Sequence, residues 1–201
     1  MTASAPTPQT ARLARRLAAP GLAVALALAA GCVKHRTYQN HDMDFGSIKT
    51  VAVMPFWNLT KDAQAADRVR DVFSNMLLAT QAVYVLPAGE VARGTGNLGL
   101  GQGTTPSTEE IVKLGGLLKV DAVITGVVRE YGEVRSGGAT ANVVSVSAQM
   151  YETGTGKVVW AGASTRGGVG WGSRLLGTAG GDPVNDVTEQ AVDDLLEQLF
   201  R

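Results

Sequence analysis

The sequence predicts an α/β fold: a single sandwich of a mixed β-sheet with an antiparallel C-terminal meander, packed by about three helices. Three observations carry this expectation. Lys49–Asn58 (KTVAVMPFWN) contains an almost unbroken apolar run, Val51 to Met54 and then Phe56, which suits a strand covered on both faces. Helix-period and strand-period segments alternate after it as far as Lys119. From Val120 to Ser164 the period drops to two, which reads as three consecutive antiparallel strands.

The chain begins with a different kind of segment. Arg12, Arg15 and Arg16 precede the apolar stretch Leu22–Ala30, and residues 1–31 read as a signal peptide. As a helix that stretch is roughly 14 Å long, too short for a hydrocarbon core of about 30 Å. It ends in Leu28-Ala29-Ala30-Gly31-Cys32, which resembles the bacterial lipobox, with Ala29 where the commonest pattern has Leu. The resemblance implies lipidation of Cys32 by palmitate-type chains and a membrane anchor. Cys32 is the one cysteine in the sequence, so no disulfide framework competes for it. Val33, not Asp, follows it, and by resemblance to sorting in two-membrane bacteria this implies the outer membrane, with the domain facing the periplasm.

Composition excludes some partners. Basic and acidic residues balance at 18 each, and removing residues 1–31 takes away three arginines and no acid, leaving a formal charge of −3. No basic excess points to nucleic acid. Residues 32–47 read as a lipid-anchored tether and 48–201 as one envelope domain. His35, His41, Asp42 and Asp44 fall in the tether, where solvated polar residues explain them better than a metal site without a fourth ligand.

Within the domain, Ala65–Thr80 places Ala66, Val69, Phe73, Met76 and Leu77 on one helical stripe. Ala82–Leu86 is a second strand closed by Pro87, and Ala88–Arg93 a short helical turn. Gly94–Gly103 reads as a flexible loop. Its GxGxxG spacing (Gly94, Gly96, Gly99) lacks the strand before and the helix after that a dinucleotide site requires, so no cofactor is expected.

Ser107 and Glu110 form a capping box for a helix over Thr108–Lys119, with Ile111, Leu114, Leu117 and Leu118 as its buried stripe. Gly115-Gly116 in that helix suggests close packing against a neighbour. The strand Val120–Arg135 should emerge into solvent with Arg129, Tyr131, Glu133 and Arg135 on one face. In Asn142–Tyr151 the residues Val144, Val146, Ala148 and Met150 alternate with Ser145, Ser147 and Gln149, giving a core side and a polar side. Lys157–Ser164 completes the meander. Arg166–Gly181 is a glycine-rich loop, and Asp182 with Pro183 opens a final helix bearing Val184, Val187, Ala191, Leu195 and Leu199.

Three stretches, VAVMPFWNLT, KLGGLLKVDAVITGVV and AQMYETGTGKVVWAG, carry a family resemblance. They resemble the CsgG-type curli-secretion lipoproteins and the activator lipoproteins of penicillin-binding proteins, and are similar to the amino-terminal domain of TolB. The resemblance implies an envelope lipoprotein that binds other proteins.

Catalysis finds no footing in the residues. With both histidines in the tether and Cys32 committed to the anchor, no nucleophile has a base. Glu109-Glu110 and Asp193-Asp194 are neighbours on helices, not carboxyls facing each other across a cleft. The expectation is a non-enzymatic binding module accessory to envelope assembly or secretion, contacting an envelope protein or its own copies and no small-molecule substrate. The alternative is a subunit of an oligomeric CsgG-like secretion channel, although the turns 136–140 and 153–156 leave no room for extra membrane-spanning hairpins. Trp171, Leu175 and Leu176 are the candidate partner-binding residues, because glycines around them offer little to bury them. The competing reading folds Trp171 back onto the domain.

Overall fold

A computed structural model describes residues 37–101, 105–136, 138–169 and 181–201. In chain order the elements are β1 (Tyr38–Gln39), a 3-10 turn (Phe45–Ser47), β2 (Thr50–Val53), β3 (Trp57–Asn58) and α1 (Ala65–Ala79). There follow β4 (Tyr84–Val85), α2 (Ala88–Asn97), α3 (Thr108–Leu118), β5 (Ala122–Ser136), β6 (Ala139–Glu152), β7 (Val158–Gly167) and α4 (Val184–Leu199). The seven strands form one sheet in the order β1-β7-β6-β5-β2-β4, with β3 also on β5. β2 is parallel to β4 and β5, and β5, β6 and β7 are antiparallel, the mixed sheet and meander read from the sequence.

The organising strand is interrupted. Met54 still donates to Ile124 O at 2.9 Å, but Pro55 has no N–H to give. Pairing resumes at Trp57 and Asn58, opposite Val127 and Val128 of the same neighbour. Val51, Ala52, Val53, Met54 and Phe56 are all buried, as the apolar run requires.

Helices cover both sides of the sheet. On one side α1 and α4 bury Phe73, Leu77, Val187, Ala191 and Leu195 against Val51, Val53, Ile124, Val146 and Trp160. Gly126, Ala148 and Gly162 lie side by side across β5, β6 and β7 on this side. The missing side chains make a trough. A Cβ at Gly126 would stand 2.7 Å from the Phe56 ring, and one at Gly162 2.6 Å from Trp160 Cζ2. Phe56 meets Phe73 edge-on at 5.8 Å, and the Trp160 indole donates to Gln198 O at 3.2 Å. On the other side α2 and α3 pack Val91, Ile111 and Leu114 on Ala52, Met54, Val123 and Tyr151.

Several expectations need correction. The expected turn at 88–93 is a helix reaching Asn97, so four helices pack the sheet and the glycine-rich loop starts later than Gly94. Gly94 lies inside this helix and faces α3, where a Cβ would be 2.6 Å from Leu118 Cδ2. The capping box of α3 is present on Ser107 and Glu110. Its stripe, however, centres on Ile111, Leu114 and Gly115, and Leu117 is exposed. The cause is contact between Gly115 and Thr153, so close that a Cβ would lie 2.2 Å from Thr153 Cβ.

In β5 the register slips between Val128 and Glu130, leaving Arg129 as the extra residue. Tyr131 thereby pairs with Val144 and packs on the core instead of sharing an exposed face with Arg129. The hairpin also continues to Ser136 opposite Ala139, where a loose turn had been expected. Finally, part of the expected tether is built into the domain. Tyr38 and Gln39 pair with Ala161 and Trp160 of β7, Asn40 N donates to Val159 O at 2.8 Å, and Met43 and Phe45 pack on the core. The otherwise unpaired edge of β7 supplies the backbone partners that hold this segment. His41 is thus an exposed residue of the folded unit, and Asp44 accepts from Gly46 N at 2.9 Å to cap the 3-10 turn.

Candidate interaction surface

Strand alternation gives every row of the sheet an α1–α4 side and an opposite side. On the opposite side α2 and α3 reach only the end of the sheet at Ala52, Val123 and Tyr151. Further along, the cross-strand partners form two rows. Tyr38, Ala161, Gln149 and Thr125 make the first, and Ala163, Ser147, Val127 and Trp57 the second. Ser145 and Thr165 extend the face by another pair, joined Thr165 Oγ1 to Ser145 Oγ at 2.9 Å.

No residue of these rows belongs to either buried cluster among the described residues. The face is small and hydroxyl-rich, with an aromatic at each end. Tyr38 is 54% exposed and Trp57 44%. They stand four strands apart, about 20 Å at the usual interstrand spacing. Beside Trp57 a shallow cavity of about 130 Å³ is lined by Pro55, Thr125, Val127, Arg129, Ser147 and Gln149, among others. Polar groups here are short and uncharged except at the Arg129–Glu130 bulge, so desolvating the face costs little compared with a face of lysines and glutamates.

The charged groups with shifted proton affinity hold the fold. Asp121 accepts from the backbone N–H groups of Lys49 and Thr50 at 2.8 and 2.9 Å and from Thr50 Oγ1 at 2.9 Å, tying β2 to the start of β5. Those donors, Lys49 N–H first, hold its carboxyl below the usual range. Arg166 is bound by two side-chain hydrogen bonds to Asp194, which raise its pKa and clamp the end of β7 to α4. Asp194 also accepts from Ser164 Oγ at 2.8 Å. Among the described residues no three His, Cys, Asp or Glu side chains gather as metal ligands.

Cys32, Trp171, Leu175 and Leu176 lie outside the described residues. The aromatic-flanked face was missed, although half its signal was visible in the alternation of Ser145, Ser147 and Gln149. Trp57 lay one residue past the apolar run read as a covered strand, and Tyr38 inside a segment read as tether.

The family model described as "Putative lipoprotein GNA1162-like" matches residues 42–197. Solved structures share the fold at low identity. The PelC dodecamer from Paraburkholderia phytofirmans is 19% identical with a TM-score of 0.55, covering 83% of this chain and 96% of that one. The lipoprotein GNA1162 from Neisseria meningitidis is 20% identical with a TM-score of 0.51, covering 76% and 98%. The hypothetical protein CT253 from Chlamydia trachomatis is 14% identical with a TM-score of 0.52, covering 76% and 96%. No curated protein matches the chain. The resemblance to lipoproteins read from the sequence holds in the family, and the solved structures share the α/β fold.

Proposed function

The chain belongs to the GNA1162-like family, and from that premise we propose that it is a lipid-anchored, non-enzymatic protein-binding module of the cell envelope that associates with its own copies. The face of the meander that no described helix covers carries this reading. Antiparallel sheets commonly leave one face to water, but such a face is usually charged. Here Ala161, Ala163, Ser145, Ser147, Thr125 and Thr165 present small side chains, and Trp57 and Tyr38 supply aromatic anchors at the margins. Aromatic anchors around a weakly polar centre suit a protein interface.

The dodecamer of PelC belongs to that protein. It supports self-association here as a shared use of the fold. Anchoring through Cys32 at the outer membrane, with the domain in the periplasm, makes the module an accessory of envelope assembly or secretion. Trp171, Leu175 and Leu176 remain part of the proposal as a second contact.

No observation favours a channel subunit. The β5–β6 hairpin is long enough in residues to cross a membrane, but its far half carries Arg129, Glu130, Glu133 and Arg135 instead of an apolar band. Among the described residues no helix is long and apolar enough to cross a membrane.

Two measurements test the reading. Mass spectrometry of the amino terminus of the protein purified from membranes should find an acylated Cys32. Sedimentation of the mature protein should show concentration-dependent association that Ser147→Arg abolishes without lowering Tm. An unmodified thiol refutes the anchor, and a monomer at every concentration, or association indifferent to Ser147→Arg, refutes the interface.

A further inference from the structure

A cavity of about 340 Å³ opens at the end of the α1–α4 core, where the last turns of both helices meet the segment after β1. We propose that it binds a fatty acid, with the hydrocarbon chain inside and the carboxylate at the rim.

The floor is formed by core side chains. Ile48, Leu77, Met150 and Leu199 line it and are each no more than 4% exposed. Phe45 and Phe200 also line it, and Phe200 is left 48% exposed. The part of the wall built from these apolar side chains offers water no hydrogen-bond partner. Its volume lies at the lower end of small-ligand pockets. At roughly 30 Å³ per methylene, about the share of one water in the liquid, it accommodates a chain of about eleven carbons.

Charged side chains at the cavity are of one sign. Lys49 and Arg201 line it, and among the described residues no Asp or Glu side chain does. Acids close to these cations are otherwise engaged or loosely held, and Asp44, beside Gly46 of the wall, accepts from Gly46 N. Asp121 accepts from the Lys49 and Thr50 backbone, and Glu197 meets Arg201 only at 4.0 Å with both side chains more than half exposed. Among the described residues Gln39 is the one amide side chain at the wall. A peptide backbone inserted here would leave its N–H and C=O groups without partners, whereas an alkyl chain has none to satisfy. Two cations beside an apolar slot therefore complement an amphiphile with one anionic end.

The test uses the full mature chain and a fluorescent fatty-acid probe, displaced by laurate or by uncharged methyl laurate. Laurate is expected to displace the probe at one site, at least tenfold more effectively than the ester. Lys49→Glu should weaken laurate at least fivefold and leave the ester unchanged. Ala82→Trp, at an exposed position on the wall, should block both, and Phe200→Asp should do the same if the tryptophan variant fails to fold. Four results would overturn the proposal. They are no saturable binding, equal binding by the folded wall variants, equal displacement by laurate and ester, or loss of the site as protein concentration rises. The last would assign the cavity to a second copy of the chain.

Discussion

Arg70 of α1 donates two hydrogen bonds, at 3.1 and 2.8 Å, to the carbonyl oxygen of Val53. The ladder explains why that carbonyl needs a side chain. Val51 O accepts from Leu86 N at 2.8 Å, but Pro87 ends β4 and the chain turns into α2 before reaching Val53. The guanidinium takes the place of the missing strand, and its partial burial lowers its pKa against the raising effect of Asp67 and Asp71. Arg70→Leu leaves the carbonyl unpaired and should cost about 2 kcal/mol in urea unfolding, the usual loss for a hydrogen bond to a charged group. Arg70→Lys, with one compact ammonium instead of a fork, should fall between the two. Wild-type stability in Arg70→Leu would show that water replaces the contact.

Asp121 gives the domain an acid-sensitive joint. Its folded pKa lies below the unfolded value of about 3.9. Its contribution is therefore present above that value and lost as pH falls through the lower folded one. Asp121→Asn should be less stable than wild type at pH 7, and the gap should close on acidification below about pH 4. Glu110, also depressed by its bonds to Ser107, is common to both proteins and cancels in the difference. Urea midpoints at pH 7 and pH 3 check this. A gap that stays constant across both would remove the ionised carboxylate from the account.

The adjacent glycines of α3 should respond in opposite directions. A Cβ at Gly115 would overlap Thr153, whereas one at Gly116 meets nothing within 4 Å. Gly116→Ala should stabilise by up to about 1 kcal/mol through helix propensity. Gly115→Ala gains the same propensity but must push α3 off the β6–β7 turn, and a net loss of about 1–3 kcal/mol is expected. Thermal unfolding of the two variants decides it, and equal stabilisation would mean the turn yields freely.

Much of this was readable in the chain, for physical reasons that also set the limit. Period-two and period-3.6 patterns report which side of an element is buried, so Val144, Val146, Ala148 and Met150 and the stripe Val69, Phe73, Leu77 were found where they are. The pattern cannot see a single inserted residue. The bulge at Arg129 reversed the alternation beyond it and carried Tyr131 inward. Nor can it tell a tether from a two-residue edge strand, because Tyr38 and Gln39 owe their order to the backbone of β7, more than 120 positions away. The candidate face was hidden for the same reason. Its two aromatics come from separate strands, and only the strand order makes them the ends of one surface.

That surface and the glycine-rich loop make separable claims on association. Trp57 is nearly half exposed beside Val127, so removing its ring takes little from the core. Trp57→Ala should leave Tm within a few degrees of wild type. If the bare face joins copies, it should weaken self-association by about 2 kcal/mol, roughly thirtyfold in Kd. Ala163→Arg, in the same row two strands beyond Val127, should do so at least as strongly by placing a charge in the contact. Trp171→Ala carries the competing expectation drawn from its glycine-rich neighbourhood. Sedimentation equilibrium on the three variants separates the outcomes. Loss in Trp57→Ala and Ala163→Arg places the interface on the meander. Loss in Trp171→Ala alone moves it to the loop after β7. A melted domain in Trp171→Ala with association unchanged in the other two would make Trp171 a core residue and leave neither surface as the contact.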